Sequence, residues 1–259
     1  MTDLSRRHFL RRGAALGASL GLGGCFDELA DRDNPVRATL AGANDLTYAA
    51  QRALLDHDAL AREYPASAIR QPMRPNGSTS PRDPDYLNHL VSGFETWRLP
   101  VSGLVDRPES FSLADLASMP ARTQITRHDC VEGWSCIAQW TGVPLRLVLD
   151  RVGARPEARF VVFRCFDTME WSPTGPVKYY ESVDLWAARH PQTILAYGMN
   201  GGPLPVANGA PLRVRIELQL GYKMAKYLQA IDVTDTLEPY GLGEGGYWED
   251  RGYEWYAGI

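Results

Sequence analysis

Between Arg122 and Cys130 polar and apolar residues alternate, and the run stops at a cysteine followed by Val131-Glu132-Gly133. A period of two predicts a strand with one buried face. Further strands are predicted over residues 97–105, 159–166, 194–199, 212–218 and 228–233, with Asn200-Gly201-Gly202 as a turn. Residues 44–64 read as a helix. Asn44 or Asp45 caps it, Leu46, Ala50, Ala53, Leu54 and Leu60 lie along one side, and Pro65 stops it. Ser112-Leu113-Ala114-Asp115 opens a short helix with a capping box, and Pro144 and Gly153 bracket another. Ser182 is expected to cap a helix reaching Arg189. Residues 65–86, rich in Pro, Arg, Asn and Gly, read as a long irregular loop. There is no internal repeat. The expectation is one α+β domain over residues 44–259, with mixed β-sheets and short helices.

Charge separates the first residues from the rest. The formal net charge of the 259 residues is −4; residues 1–24 hold four arginines against Asp3, +3, which leaves −7 elsewhere. An acidic body argues against sequence-nonspecific nucleic-acid binding. Ser5-Arg6-Arg7-His8-Phe9-Leu10-Arg11-Arg12, followed by a Gly/Ala-rich run to Gly24, resembles a twin-arginine export signal. That route carries folded proteins, often with a cofactor already inserted, and implies a periplasmic protein. Leu22-Gly23-Gly24-Cys25 resembles a lipobox, which leaves two alternatives: a lipid anchor at Cys25 or ordinary cleavage nearby. Polar residues 25–43 read as a tether. Beyond the first tens of residues no apolar run is long enough to span a bilayer.

Four cysteines occur, Cys25, Cys130, Cys136 and Cys165. With Cys25 lipidated an odd number remains, so at least one is free or bound to something else. Cys136 and Cys165 either pair or sit in the core; two buried free thiols is the reading adopted. Zinc is not expected, because no C-x-x-C pair or close Cys/His cluster occurs.

Cys130 is embedded in Arg127-His128-Asp129-Cys130-Val131-Glu132-Gly133-Trp134-Ser135, with Trp140-Thr141-Gly142-Val143-Pro144-Leu145 close behind. This segment resembles the molybdenum-ligand loop of the sulfite oxidase family of molybdopterin-dependent oxidoreductases. It is most similar to the bacterial exported branch that includes the periplasmic methionine-sulfoxide reductase catalytic subunit. Asn208-Gly209-Ala210-Pro211-Leu212-Arg213 and Gly221-Tyr222-Lys223-Met224-Ala225-Lys226 resemble two further segments of that family. The resemblance extends over roughly residues 70–235. It implies a molybdopterin cofactor with Cys130 as catalytic residue and metal ligand, Asn208 on the pterin and Arg213 on the phosphate side. It further implies that Met224, Ala225 and Lys226 line the cofactor. Tyr86-Leu87-Asn88-His89 resembles another contact segment, with Leu87 where sulfite oxidases carry arginine, and implies Asn88 and His89. Cys165 falls near a family threonine that touches the cofactor, although the alignment equally selects Thr168. His128 and Asp129 either orient the metal site or serve structure. The loop Arg74-Pro75-Asn76-Gly77 either approaches the site or is a surface turn. The aromatic run from Gly245 to Tyr256 covers a pocket, grips a partner or closes the core.

The function implied is oxygen-atom transfer with two-electron chemistry on a small S- or N-oxide, sulfite or oxidised methionine. Electrons pass through a separate carrier, a cytochrome or membrane quinone protein, because the chain has no C-x-x-C-H haem motif. With no room for the haem or immunoglobulin-like modules of vertebrate sulfite oxidases, a monomer is expected. Two other classes stand beside this one: a non-enzymatic exported lipoprotein binding a ligand or partner, and a thiol oxidoreductase using Cys130 directly. Elemental analysis of protein matured in its cytoplasm separates the classes. About one molybdenum per chain is expected for the oxidoreductase and none for the other two.

Overall fold

The computed structural model describes residues 34–259; the export segment and Cys25 lie outside the described residues. The chain divides into two units, one ending at Ala49 and one running from Ala50 to Ile259. The described part of the first is helical. Helix α1 spans Pro35–Leu54, so it begins inside the stretch expected to be a tether and ends short of residue 64. The local signals are Pro35 at the first helical position and Asn34, whose Oδ1 accepts from the Val36 N–H at 2.8 Å. Past its end, Asp56 Oδ1 accepts from the Asp58 N–H, an Asx turn that diverts the chain.

The second unit holds two five-stranded sheets. In the first, β1 (Leu99–Gly103), β2 (Glu109–Phe111), β5 (Phe160–Ser172), β6 (Gly175–Asp184) and β10 (Leu228–Thr234) stand in the order β2-β1-β10-β5-β6. The β1–β10 pair is parallel and the others antiparallel, which makes this sheet mixed. In the second, β3 (Arg122–Cys130), β4 (Trp134–Pro144), β7 (Ile194–Met199) and β8 (Gly202–Pro203) follow one another, and β9 (Arg213–Arg215) pairs with β7. Short helices α2 (Pro84–Val91), α3 (Leu113–Ser118), α4 (Leu145–Val152) and α5 (Leu185–Arg189) fill the connections. The main apolar core gathers Trp97, Leu99, Phe111, Leu145, Leu149, Phe163, Val214, Tyr227 and Ile231. The α+β expectation holds.

Several expected elements are met residue by residue. Strand β3 spans Arg122–Cys130. The Ser112/Asp115 capping box is formed. Helix α4 ends at Gly153, whose φ of 68° is the left-handed value a residue with a Cβ resists. Others differ. Ser182 lies within β6, and the cap of α5 is Asp184, which accepts from the Ala187 N–H at 2.7 Å. Of residues 212–218 only Arg213–Arg215 pair as strand. Helix α2 rises from the expected loop because Asp83 caps it and Pro84 occupies its first position. Cys130, Cys136 and Cys165 are all free and buried.

Polar residues are built into this interior as closed groups. Lys223 is fully buried, with Nζ 2.5 Å from both Glu181 Oε1 and Glu249 Oε1. Burial and the neighbouring Glu249 push the Glu181 carboxyl well up, whereas the two carboxylates push the Lys223 ammonium up. Glu181 is thus the acid that burial favours neutral beside the cation, which limits the net charge in the core. Removing the cation strands two acids in a dry interior. Lys223→Met is expected to destabilise by ~3–5 kcal/mol. Glu181→Gln keeps the shape of a protonated acid and is expected to cost about 1 kcal/mol. Urea denaturation of both variants checks the difference.

Candidate functional site

Alternation along β3 turns Gln124, Thr126, His128 and Cys130 to the same, inner face. That face is polar, and Arg215 of β9 with Glu217 just beyond it supply its partners. Gln124 Nε2 donates to Glu217 Oε1 at 2.8 Å, Arg215 Nη2 to Glu217 Oε2 at 2.7 Å, and Arg215 Nη1 to His128 Nδ1 at 2.8 Å. Burial, then the charge of Arg215, hold the His128 imidazole well below its ordinary pKa, so it is neutral. With Nδ1 accepting, the proton sits on Nε2, which is buried and has no partner. A Cβ at Gly221 would fall 2.4 Å from Nε2, so only glycine lets the 221–226 segment pass here. Asp129 faces the other way, onto Arg127 Nε at 2.9 Å and Ser135 Oγ at 2.5 Å.

The strand delivers Cys130 to the tip of the β3–β4 hairpin, opposite Trp134, with Gly133 at φ 83° in the turn. There it enters the wall of an open cleft of about 800 Å³, mouth included. Met224 and Lys226 lie in the same wall. Burial, the largest effect, raises the Cys130 thiol pKa, and Glu132 adds to it; the backbone N–H groups of Glu132 and Val131 act the other way. The free thiol is therefore a weak nucleophile at neutral pH, although its sulfur is held by donors that favour the thiolate a metal requires.

Lys226 belongs to this wall, and Arg213 and Asn208, which do not line it, pack next to Lys226. Lys226 Nζ donates to the carbonyls of Asn76 and Ser78 at 2.5 Å each and to Ala207 at 3.3 Å. Burial, reinforced by Arg213, pushes its pKa down to about 7. Arg213 is fully buried; its Nη1 donates to Asn208 O at 2.9 Å and its Nη2 to Met224 O at 3.4 Å. Its guanidinium lies 5.0 Å from the Trp140 ring centroid. No carboxylate pairs with Arg213 among the described residues, and burial followed by Arg215 lowers its pKa to about 9. Arg213 Nε, Asn208 Nδ2 and Asn76 Oδ1 are buried without hydrogen-bond partners among the described residues. Gly209, at φ 117°, packs these together: a Cβ there would sit 3.1 Å from both Arg213 Cβ and Lys226 Cβ.

This donor set fits an anionic, heterocyclic cofactor carrying a soft metal. Among the described residues Arg213 and Lys226 make no ion pair and two amide atoms have no hydrogen-bond partner, while Cys130, Asn76 and Lys226 line one cleft. Ala225 is buried in the core and engages through its carbonyl, which accepts from the Val214 N–H at 2.8 Å. Cys165 is fully buried on β5, outside the cleft wall. Asn88 is exposed on α2, and His89 stacks edge-on against Phe166 at 5.8 Å with Nδ1 2.9 Å from Thr96 Oγ1; neither is in the cleft wall. Lys223, beside these motif residues in sequence, belongs to the buried acid pair instead.

The wall also contains residues that the motifs do not name. Asn76, Gly77 and Ser78 enter it from the proline-rich loop, Asp167 and Met169 from β5, and Tyr179 from β6. Trp248 and Tyr253 come from the C-terminal aromatic run, stacked on each other at 5.3 Å, with Tyr253 edge-on to Tyr222 at 5.3 Å. Loop composition hinted at the first group and aromatic density at the last; nothing local marked Asp167.

Residues 88–240 match the family model described as the oxidoreductase molybdopterin binding domain. A protein of Azospira oryzae, whose name assigns it provisionally as protein-methionine-sulfoxide reductase subunit YedZ1, is 38% identical over 257 residues, covering 98% of this chain and 88% of its own length. The protein-methionine-sulfoxide reductase catalytic subunit MsrP of Ralstonia nicotianae is 36% identical over 55% of this chain and 45% of its own length. That of Campylobacter jejuni is 32% identical over 61% and 58%. The chain thus spans about half the length of these MsrP relatives. The sulfane dehydrogenase SoxCD of Paracoccus pantotrophus superposes with a TM-score of 0.47 at 21% identity, over 54% of this chain and 38% of that one; the family assignment rests on the sequence matches.

Arg213 gives a test of the donor set. Arg213→Met removes a buried cation that no carboxylate balances, so the cofactor-free form is expected to keep its stability within about 1 kcal/mol. Cofactor retention is expected to weaken by ~1.5–3 kcal/mol, the loss of a charged hydrogen bond. Molybdenum per chain after dialysis, beside urea titration of the metal-free form, reads both.

Proposed function

The chain belongs to the oxidoreductase molybdopterin binding family, and from that premise we propose that it is the catalytic subunit of an exported reductase acting on methionine sulfoxide. The observation that carries the reading is a cleft lined by Cys130, Asn76 and Lys226, with Arg213 and Asn208, whose Nε and Nδ2 have no partner among the described residues, packed next to Lys226 outside the lining. The names of the sequence relatives supply the substrate class.

Molybdopterin, when bound, supplies oxygen-atom transfer coupled to two electrons. With the cofactor bound, Cys130 would hold the metal as a thiolate, Asn208 would serve the pterin edge, Arg213 the phosphate side, and Lys226 would add positive charge. Met224 and Ala225 fix the segment that carries Lys226. His128 stays neutral and holds Arg215 in place, so the protons of this layer are settled before any ligand enters. The aromatic wall of Tyr179, Tyr222, Trp248 and Tyr253 excludes water and gives a thioether or sulfoxide side chain flat surfaces to pack on. Tyr179 and Tyr222 hold those surfaces rigid, their hydroxyls donating to the carbonyls of Tyr222 and Glu254.

The twin-arginine-like residues 5–12 support export with the cofactor in place, and lipidation of Cys25 is part of the same proposal. No helix among the described residues is long and apolar enough to cross a membrane. Electrons then come from a separate membrane cytochrome or quinone protein, in keeping with relatives named as subunits. A direct thiol mechanism is disfavoured, because the Cys130 thiol is pushed up by burial and Cys136 and Cys165 are buried and free. Cys130→Ser is expected to abolish methionine-sulfoxide reduction with a reduced artificial donor while the pterin stays bound. Assay of turnover beside pterin and molybdenum content checks it, and full activity in the variant rejects the assignment.

A further inference from the structure

Reducing a sulfoxide breaks the S–O bond, frees the thioether and releases the oxygen as water. The balance takes two electrons, delivered through the cofactor from the external carrier, and two protons. The protons must come from a group that reaches the cleft. Tyr179 and Tyr222 are poor candidates: both hydroxyls are committed to backbone carbonyls, and burial pushes both phenols up. Lys226 Nζ spends its donors on the carbonyls of Asn76, Ser78 and Ala207. Glu132 is half-exposed and accepts from the Trp134 Nε1 at 2.8 Å.

Asp167 differs from each of these. It lies in the cleft wall with Cys130, yet is only 9% exposed. Ser78 Oγ donates to its Oδ2, and no hydrogen bond to Oδ1 occurs among the described residues. Ser78 itself is half-buried on the loop at the cleft wall, and its backbone carbonyl is gripped by Lys226 Nζ and by Tyr227 Oη at 3.1 Å. The loop is therefore pinned over Asp167. Resting on the sulfoxide-reductase reading above, we propose that Asp167 is the proton donor of the reductive reaction and that Ser78 tunes it and relays the replacement proton from solvent.

The electrostatics agree with that role. Burial raises the Asp167 carboxyl above the usual range, whereas the Ser78 hydroxyl and then Lys226 pull it back. The groups facing it are the Lys226 ammonium, the Ser78 hydroxyl, the Tyr86 and Tyr227 phenols and the Cys165 thiol. Burial pushes the phenols and the thiol up, so they stay neutral at working pH. An acid that burial favours neutral, with a hydroxyl and an ammonium waiting for its anion, is suited to give a proton and take it back. The sign follows directly. The donor form is present below the raised Asp167 pKa and is lost as pH climbs through it, so reductive turnover falls on the alkaline side.

Loaded enzyme with methionine sulfoxide and a reduced artificial donor tests this. Asp167→Asn is expected to lower kcat by about 100-fold, the scale of a lost general acid, with molybdenum content unchanged, and to erase the alkaline limb of the pH profile. Asp167→Glu is expected to recover part of the rate. Ser78→Ala removes the hydrogen bond that lowers the acid's pKa, and should move the alkaline limb to higher pH. Infrared difference spectra taken below and above the limb should show a protonated carboxyl band in the wild type, with or without cofactor, that is missing in Asp167→Asn. Near-normal kcat with an unchanged limb in Asp167→Asn, or the same carboxyl band in that variant, overturns the proposal. A wild type that turns over no sulfoxide overturns the reading it rests on, while the infrared band still reports on Asp167.

Discussion

A guanidinium enclosed by protein without a carboxylate beside it is a costly thing to fold around, and Arg213 is such a group. Desolvation of an ion in a protein interior costs several kcal/mol, and a salt bridge is the usual compensation. Arg213 instead has two carbonyls and the face of Trp140, with Nε left over, and Arg215 nearby makes matters worse. Lys226 repeats the pattern with three carbonyls. Such charges persist when something outside the chain completes them. The phosphate and polar ring of a pterin cofactor have the charge and hydrogen-bonding edges to do so.

The contrast with the other buried cations sharpens the point. Arg215 is two residues from Arg213 and equally buried, yet it has Glu217 on two of its nitrogens. Lys223 is three residues from Lys226 and sits between Glu181 and Glu249. In each segment one cation is ion-paired inside the chain, and the other makes no ion pair among the described residues, although the Asp167 carboxyl acts on Lys226 from nearby. The balanced members build the scaffold: Arg215 ties β9 to His128 on β3, and Lys223 ties its turn to β6 and the C-terminal run. The unbalanced members are the ones that the family resemblance placed on the cofactor.

Sequence made some of this legible and hid the rest for physical reasons. Strand β3 was readable because its period-two pattern is uninterrupted, and α4 because Pro144 and Gly153 mark its ends. Strands β4 and β6 were not expected. The first contains Thr141-Gly142-Val143-Pro144, which looks like a break, yet Gly142 is there because β7 passes so close that a Cβ would meet Leu195 O at 2.2 Å. Strand β6 carries Lys178, Tyr179, Tyr180 and Glu181 in a row, which no alternation rule reads as strand, because Glu181 is buried only by virtue of Lys223 from a distant turn. The candidate site divides the same way. Cys130, Met224 and Lys226, which line the cleft, and Asn208 and Arg213, which pack next to Lys226 outside the lining, lie in contiguous words. Asn76, Ser78, Asp167 and Tyr179 reach the cleft through tertiary folding, and Asn88 and His89, which looked comparable in sequence, sit on a helix away from it.

The mouth of the cleft is held to its floor by the part of the chain least resembling any motif. Trp248 and Tyr253 stack, Tyr253 meets Tyr222 edge-on, and Tyr222 returns a hydrogen bond to Glu254. Glu249, from the same run, reaches inward to Lys223, whose turn immediately precedes Met224 and Lys226. The C-terminal run therefore does two jobs through one connection: its aromatic faces line the cleft that Cys130 lines, and its buried carboxylate anchors the segment carrying Met224 and Lys226. A change in the rim is thereby coupled to the floor through a salt bridge in a water-free interior, where loss of one partner costs most. The rim of the cleft and the Met224–Lys226 segment consequently share a structural element, so exchanging the C-terminal run between relatives would alter both together.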